Sequence, residues 1–252
     1  MKTLLTSRYR ARLAQTGQDV ANAQGLRGLM FRGADRDADR FDAQCQHLMV
    51  ETLATGRLIA TLRFQVLPTA SDLAKTYSAQ FYDLSRLGLW PGAMLELGRF
   101  CVVPRINDPN ILRLVWAFLT QVVDQNQIGL LFGCTSFARA DEAVDPAIFD
   151  ALAQHIGPSV WWPDVTAPEC VRLSALGGAN AAQGDARALN SQSPLLQGYL
   201  GLGGWISDHV VIDRDLGTML VFTALEVDRI APSRQRLLRA LVKATQQKSP
   251  DQ

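Results

Sequence analysis

The sequence predicts an α/β (α+β) fold in which helices flank a mixed, partly antiparallel central sheet. The predicted elements run strand, strand, strand, helix, strand, helix, with helical residues before them, whereas a doubly wound parallel sheet would alternate strands and helices regularly. The chain has 252 residues, of which 48% are hydrophobic. That is enough apolar material for one large domain or for one domain with an appendage.

The N-terminal part is predicted to form a helix, a charged loop and two strands. Residues 7–33 are predicted to be helical because leucine and methionine recur at helical spacing before a glycine ends the run. The loop at 35–42 is rich in aspartate and arginine. Strands are predicted at 46–53 and 57–67 around a Thr-Gly turn. Residues 72–87 are predicted to be helical or irregular.

The middle of the chain has the clearest sequence signals for secondary structure. A strand at 94–103 is apolar on both faces and is therefore expected to be covered on both sides. A helix follows at 110–127, with Asp108 as its N-cap and Pro109 at its first position. Residues 128–137 are predicted to form another strand buried on both faces.

The C-terminal third completes the predicted fold with an extension. The predicted elements are a helix at 146–155, a helix at 194–202, strands at 205–212 and 218–227, and a basic helix at 232–244. The domain organisation predicted from them is a core over 1–175, a loop or linker over 176–192, and helix and strands over 193–252. This last part completes the same domain and carries a basic tail.

The 94–103 strand is also the first place to look for chemistry, because it carries two charges. Buried charges are tolerated only when they are paired or used. Regular pleating would place Glu96 on one face with Met94 and Phe100, and Arg99 on the other.

Composition excludes several classes of function. The formal net charge of +1, with no basic stripe, argues against a general nucleic-acid binder. No apolar run approaches the roughly 20 residues that span a bilayer, and the N-terminus lacks the apolar core of a signal peptide. We expect a cytoplasmic protein that at most touches a membrane surface peripherally. The four cysteines are widely spaced, which predicts reduced structural thiols and no metal site.

An ordered set of residues resembles the signature of acyl-homoserine-lactone synthases, which are GNAT-type acyltransferases that take acyl chains from acyl carrier protein. The set is Arg27 with Phe31, Asp39 with Asp42, Arg63 within Leu-Arg-Phe, Leu67-Pro68-Thr69, and Glu96-x-x-Arg99-Phe100. The C-terminal third is more similar to the ornithine-lipid-synthesising N-acyltransferases, through Leu195–Gly203 and the Asp213/Asp215 segment. The resemblance covers roughly residues 26–226.

This resemblance implies a reaction and a GNAT-like fold, with a mixed, mostly antiparallel central sheet flanked by helices and a C-terminal extension. A 3-hydroxyacyl group would pass from acyl carrier protein to the α-amine of ornithine, or of glutamine in one relative, giving a lyso-lipid. The sequence does not separate these two acceptors. The donor would be the phosphopantetheine thioester of the carrier protein, and no metal or further cofactor is expected.

The chemistry needs a base, and Glu96 is the candidate. An amino-acid ammonium must lose a proton before it attacks a thioester carbonyl. The alternative is an ion pair of Glu96 with Arg63 or Arg99 that only fixes the strand register.

Other residues are candidates for holding the acceptor. A guanidinium binds a carboxylate through two parallel bonds, so Arg63 and Arg99 are candidates for clamping the α-carboxylate. Asp39 and Asp42 are candidates for binding a cationic acceptor; the alternative is a solvated charged loop.

Arg27 and Phe31 lie one helical turn apart, and they are candidates for closing over the thioester or the acyl chain. The alternative is a surface arginine beside a core phenylalanine.

The donor is expected near the loop that precedes the 110–127 helix. Backbone N–H groups from Val103 onward and the helix dipole favour an anion there. Arg105 and Arg113 are candidates for contacting the phosphate or the acidic face of the carrier protein; the alternative is ordinary solvated charge. The loop has no Gly-x-Gly, which argues against coenzyme A as the donor.

Two rival functions stay open at this point. One is an acyl-homoserine-lactone synthase that uses S-adenosylmethionine. The other is a non-catalytic module that binds acyl chains or carrier protein. Bilayer contact through 176–206 or through the basic C-terminal helix is a further hypothesis.

Overall fold

The computed structural model describes residues 1–140, 144–158, 160–177, 188–189 and 193–246. The predicted loop at 176–192 lies almost wholly outside these residues, as does the end of the basic tail. The strands are β1 (Leu4–Leu5), β2 (Tyr9–Leu13), β3 (Gln46–Thr52), β4 (Leu58–Leu67), β5 (Tyr82–Asp83), β6 (Ala93–Val102), β7 (Ile128–Arg139), β8 (Asp164–Val165), β9 (Cys170–Arg172), β10 (Trp205–Asp213) and β11 (Thr218–Glu226). The helices are α1 (Gly17–Arg27), α2 (Pro109–Asn126), α3 (Pro146–Ala153), α4 (Leu173–Leu176), α5 (Pro194–Gly201) and α6 (Pro232–Gln246).

The chain divides into two compact units that interleave along the sequence. The first comprises Met1–Val66, Leu95–Ile128 and Ala231–Gln252, and the second comprises Leu67–Met94 and Gly129–Ile230. The predicted division of the chain at 175 and 193 stays a prediction.

The first unit contains strands in the order β1, β2, β3, β4, β6. β2 pairs antiparallel with β3, and β3 with β4. The prediction of a helix from residue 7 is wrong, because Tyr9 and Ala11 alternate as buried positions along a strand. The helix begins later, where Thr16 and Asp19 form a capping box that satisfies two backbone N–H groups.

The 94–103 strand is confirmed, but its regular pleating is wrong. Arg99 has a φ of +54°, a left-handed conformation that is uncommon for any residue with a side chain. It therefore interrupts the strict alternation of faces that a regular strand would show. Such interruptions re-aim a side chain and are frequent beside functional sites.

α2 confirms its sequence prediction in detail. The Asp108 side chain accepts a hydrogen bond from the backbone N–H of Asn110, and Pro109 begins the helix. The apolar face includes Leu114, Phe118 and Leu119, which are buried. The helix ends at Gln127, whose φ of +51° closes the last turn.

The second unit contains the antiparallel strands β7, β11, β10 and β9 and a separate antiparallel pair of β5 with β8. Its core clusters centre on aromatic side chains, with Tyr82 and Phe132 packed around Phe222. The strand and helix predictions in this unit are confirmed to within about two residues at most ends. None of the described helices is long and apolar enough to cross a bilayer. All four cysteines are free thiols.

Candidate active site

Arg27 is the centre of a buried charge cluster in the first unit. Its side chain is 0% exposed. The guanidinium donates to both carboxylate oxygens of Asp42, at 2.7 and 3.0 Å, and to Asp37 Oδ2 at 2.9 Å. A fourth bond reaches the Asp37 carbonyl oxygen at 2.7 Å. The alternative that Arg27 is a surface arginine is therefore wrong.

Asp37 is a member of this cluster that the sequence interpretation missed. Its carboxylate accepts from Arg27, from Arg32 Nε at 2.6 Å and from Arg99 Nε at 3.0 Å. The only sequence signal was its place among the closely spaced aspartates of the 35–42 loop. Nothing in that spacing indicates which of them face inward.

Asp39 joins the cluster at its more exposed edge. Its Oδ1 accepts from Arg63 Nη1 at 2.6 Å, and its Oδ2 accepts from Arg99 Nη2 at 3.3 Å. Its side chain is 19% exposed, compared with 7% for Asp42. The structure thus brings together all four predicted charged residues of the acceptor side around Arg27, and the alternative of a solvated loop is wrong for Asp42.

Phe31 lies beside this cluster, on a turn of π-helix that follows α1 over Gly28–Arg32. The guanidinium carbon of Arg99 is 6.0 Å from the centre of the Phe31 ring, which is a cation–π distance. Phe31 is partly exposed, so it is not the core phenylalanine of the alternative interpretation. π-Helical turns are frequent at functional sites.

Gly28 lets the aspartate loop approach the helix. A Cβ atom at this position would meet the backbone nitrogen of Arg36 and would lie 2.6 Å from the carbonyl oxygen of Ala34. Both are backbone atoms, so no side-chain rotation relieves the overlap. The backbone that carries Asp37 therefore lies where only glycine permits it.

We expect Gly28→Ala to destabilise the fold by roughly 1–3 kcal/mol, the range for overpacking a well-packed site. Urea unfolding measures this. Gly25→Ala is the matched control, since a Cβ there would lie 3.6 Å from the nearest atom, the Asp35 carbonyl oxygen, and alanine favours the helix by about 1 kcal/mol. Equal stability of the two variants would contradict the close-approach argument.

Glu96 lies in β6 and is 5% exposed. The Cys45 thiol, which is partly exposed, feels the charges of Arg63, Glu96, Asp42 and Asp39. These side chains therefore share one neighbourhood. Burial, before any of those charges, raises the pKa of the Cys45 thiol to about 12, so the thiol is protonated at neutral pH.

The cluster holds the Asp42 carboxylate ionised. Burial acts to raise the pKa of Asp42, but the hydrogen bonds and charges of Arg27 and Arg63 outweigh it and keep that pKa well below its usual value. Burial likewise acts to lower the pKa of Arg63, but the hydrogen bonds and charges of Asp39 and Asp42 outweigh it and raise that pKa. Asp42 therefore remains an anion and Arg63 a cation throughout the physiological range.

His47 lies on β3 opposite Arg63 and is buried. Its Nε2 is 3.3 Å from the carbonyl oxygen of Asp42, while its Nδ1 has no hydrogen-bond partner. Burial lowers the pKa of His47 from its ordinary value of 6.5, opposed by Asp42 and assisted by Arg27 and Arg63. A proton on this ring would add a third cation beside two arginines.

We expect the free energy of unfolding to fall as pH falls below about 6.5. The unfolded chain binds a proton at His47 there while the folded chain does not, so acid favours unfolding, by up to about 1.4 kcal/mol per pH unit for one group. A further loss begins below about pH 4, where unfolded Asp37 and Asp42 take up protons.

Urea titrations across this pH range measure the slope. The variant His47→Gln should reduce the slope below pH 6.5 and leave a remainder from His155, whose pKa burial also lowers. A slope that His47→Gln leaves unchanged would contradict this assignment.

The N-terminus of α2, where the sequence predicts a donor anion, is already capped by the Asp108 carboxylate. That carboxylate accepts from the Asn110 N–H at 3.0 Å, from the Tyr9 hydroxyl at 2.9 Å, and pairs with Arg8 at 3.0 Å. The Asn110 N–H is the largest cause that lowers the pKa of Asp108, with help from Tyr9 and Arg8. A phosphate at this end of the helix would meet a resident negative charge.

Val103 also differs from the prediction. Its backbone N–H donates to the carbonyl oxygen of Ile59 at 2.8 Å. That donor is therefore occupied and does not face an anion in this conformation.

Arg105 is exposed, with a φ of +68°, and lines a groove of about 690 Å³ together with Arg8 and Tyr9. Arg113 is exposed on the first turns of α2 and donates to the side-chain oxygen of Asn110 at 3.1 Å. The structure does not place Arg113 among the residues that line this groove. Within the part of the chain that the structure describes, no group of three or more His, Cys, Asp or Glu side chains has the geometry of a metal site.

Comparison with known proteins gives consistent matches. Residues 23–117 match the family model described as an acetyltransferase (GNAT) domain. A protein of Brucella abortus (strain 2308) called L-ornithine N(alpha)-acyltransferase is 33% identical over 87% of this chain and 85% of its own length. A protein of the same name from Agrobacterium fabrum is 27% identical over 87% of this chain and 81% of its own length.

A solved structure shares the fold. FeeM, an N-acyl amino acid synthase from uncultured soil microbes, superposes with a TM-score of 0.51 over 95% of this chain and 99% of its own, at 11% identity. The predicted fold class, a GNAT-like mixed and mostly antiparallel sheet with flanking helices, is confirmed.

Proposed function

Because this chain belongs to the L-ornithine N(alpha)-acyltransferase family and is an acyltransferase, we propose that it transfers a 3-hydroxyacyl group from acyl carrier protein to the α-amine of ornithine. The product is an amide with one acyl chain, a lyso-ornithine lipid. The observation that supports the proposal best is the buried cluster of arginines and aspartates beside Glu96. This cluster offers charges of both signs to a zwitterionic amino acid.

Glu96 acts as general base in this proposal. The acceptor amine loses its proton to the carboxylate, directly or through a water, and its nitrogen attacks the thioester carbonyl. Collapse of the tetrahedral intermediate breaks the carbon–sulfur bond and leaves the amide, and the departing thiolate of the phosphopantetheine arm takes up the proton that the attacking nitrogen loses. No metal or redox cofactor takes part in these steps.

The acceptor is proposed to bind at the Asp39 edge of the cluster. Asp39 is the more exposed aspartate there, with 19% of its side chain exposed against 7% for Asp42. The negative Asp39 attracts an ammonium group. The guanidinium groups of Arg63 and Arg99, which Asp39 bridges, attract the carboxylate of the same amino acid.

We expect Asp39→Asn to raise the KM for the amino acid by roughly tenfold or more, the loss typical of one charge-assisted hydrogen bond of about 1.5–3 kcal/mol. Asp35→Asn, on an exposed aspartate of the same loop, is the control and should leave KM unchanged. Steady-state kinetics at saturating acyl donor measure both. An unchanged KM in Asp39→Asn would remove Asp39 from the acceptor site.

The donor side is proposed to be an acyl carrier protein whose acidic face meets exposed cations of the first unit. Arg105 and Arg8 line one groove, and Arg113 lies on α2 outside it. The missing Gly-x-Gly and the capped helix N-terminus favour a donor with a single phosphate over coenzyme A. We propose that the enzyme works in the cytoplasm and meets the membrane only peripherally.

The decisive experiment supplies the purified protein with 3-hydroxyacyl carrier protein and, in separate reactions, labelled ornithine, labelled glutamine or S-adenosylmethionine. We expect an α-N-acylated ornithine in the mass spectrum of the lipid extract. A glutamine product would move the acceptor to the alternative amino acid. A lactone formed from S-adenosylmethionine would replace the proposal with the homoserine-lactone synthase, and carrier-protein binding without any product would favour the non-catalytic module.

A further inference from the structure

The C-terminal helix α6 concentrates the positive charge of the molecule. Its 15 residues contain four cations, Arg234, Arg236, Arg239 and Lys243, and no acidic residue. The whole chain carries a formal net charge of +1, so the rest of the chain has a net charge of −3. A helix whose net charge differs this much from that of the rest of the chain is a candidate for binding a partner of opposite charge.

One face of α6 is fixed to the first unit. α6 packs on α2 and β1. Arg239 pairs with Asp124 at 3.0 Å, and the Gln246 side chain donates to Gln121 Oε1 at 3.2 Å. Leu238, Leu241 and Val242 are partly buried on or beside this inner face, and Thr245 is buried. These contacts set which side of the helix faces outward.

The outward face combines cations with apolar side chains. Arg236 and Lys243 are exposed two turns apart, and Leu237, the next position to Arg236, is 61% exposed. Ala240 and Ala244 extend the row of Leu237 at helical spacing and are also exposed. Arg234, Arg236 and Lys243 make no ion pair with any other residue in the described part of the chain.

We propose that α6 docks on the surface of a bilayer that contains anionic lipids. A helix with a basic row beside an apolar row lies in the plane of a membrane interface, with its cations at the headgroups and its apolar residues below them. Arg236 and Lys243 lie two turns apart on the same face of this helix, which is about 22 Å long, so both can contact one flat surface. An exposed leucine between cations fits lipid better than it fits a purely acidic protein surface.

This inference deepens the proposed function, because it places a lipid-forming enzyme where an amphiphilic product is released. Its test does not depend on that function. Purified full-length protein is mixed, without substrates, with vesicles of phosphatidylglycerol and phosphatidylcholine, and separately with vesicles of phosphatidylcholine alone. Bound protein is separated by flotation.

We expect binding to the anionic vesicles and little to the neutral ones, with loss of binding as salt rises from about 0.1 M to about 1 M. Arg236→Gln combined with Lys243→Gln should weaken binding by about twenty-fivefold, because each cation near an anionic surface contributes a factor of about five. Leu237→Ala should weaken it by up to about sixtyfold, because the substitution removes three carbon atoms and each one buried in the interface contributes a factor of about four.

Arg57→Gln is the matched control, an exposed cation in the turn between β3 and β4 of the same unit, and should bind like the parent. All three variants should retain acyl transfer from carrier protein in detergent, since none lies in the candidate active site. Circular dichroism checks that each is folded.

Two results would overturn the proposal. The first is vesicle binding that is absent from the parent or unchanged by the α6 substitutions. The second is a set of α6 variants that bind vesicles normally but fail to bind acyl carrier protein. That would assign the helix to a protein partner. Failure of acyl transfer in every form, with vesicle binding intact, would count against the proposed function alone.

Discussion

Glu96→Gln should lower kcat for acyl transfer by roughly 10²- to 10⁴-fold, the range for loss of a positioned general base, while the KM of both substrates changes little. Glutamine keeps the size and hydrogen-bonding capacity of the side chain but accepts no proton at neutral pH. The residual rate should rise with pH, because more of the amino acid then arrives as the free amine. Steady-state kinetics from pH 6 to about pH 10 measure both effects.

Glu51→Gln is the matched control for this experiment. Glu51 is also a buried glutamate of the first unit, and it pairs with Arg10 at 2.5 Å and Arg12 at 2.7 Å. Its substitution should reduce stability but leave kcat per folded molecule near the parent value. If Glu96→Gln turned over at the parent rate, Glu96 would be only a structural partner within the strand. Normal carrier-protein binding with no turnover in this variant would instead exclude the non-catalytic module.

Arg27→Met should cost roughly 3–5 kcal/mol of stability, the typical loss when one partner of a buried ion pair is removed. Methionine fills similar space but leaves the Asp37 and Asp42 carboxylates buried with fewer donors. Such a loss is a large part of the 5–15 kcal/mol that stabilises a typical domain. We therefore expect poor accumulation or a much lower urea midpoint.

Arg27→Lys should recover only part of that stability, because an ammonium restores the charge but cannot make the four bonds of the guanidinium. Arg57→Met is the exposed control and should change the free energy of unfolding by no more than about 0.5 kcal/mol. A loss below about 1 kcal/mol for Arg27→Met would show that the cluster is not the stabilising centre that its burial indicates. Urea unfolding of the three variants measures these changes in the free energy of unfolding.

Helices and strands could be predicted from the sequence where the residues that define them, such as caps, turns and apolar faces, lie close together in the chain. α2 has an aspartate cap, a proline at its first position and an apolar face, and all three act within a few residues. The strands at Gln46–Thr52 and Leu58–Leu67 were equally clear, since they are apolar and separated by a turn. By contrast, β2 was missed because five residues of alternating burial within a polar stretch give a weak pattern.

The charge cluster was predictable only in part. Resemblance to a family identified Arg27, Asp39, Arg63 and Arg99, yet not Asp37, although Asp37 bonds to three arginines. One of those bonds joins residues 62 positions apart. A spacing rule within the loop cannot reveal a partner that arrives from a distant strand.

The donor site stays a prediction, although Asp108 already caps the helix N-terminus. The sequence placed an anion at the start of α2 because helix N-termini attract negative charge. The same physical rule is satisfied by Asp108 itself, which caps the helix and binds Tyr9 from a strand 99 residues earlier. The electrostatic argument was sound, but the chain had already supplied the anion.

By itself, the sequence determined the fold class, the approximate bounds of most strands and helices, the family, and the presence of a charged strand at 94–103. Those properties follow from hydrophobic periodicity, capping and residue order, which act over short distances. The tertiary structure decided which charges are buried together, which way Arg99 points, and which predicted anion-binding groups are already occupied. Ionic interactions in a low-dielectric interior depend on which distant residues meet, and only the folded chain specifies that.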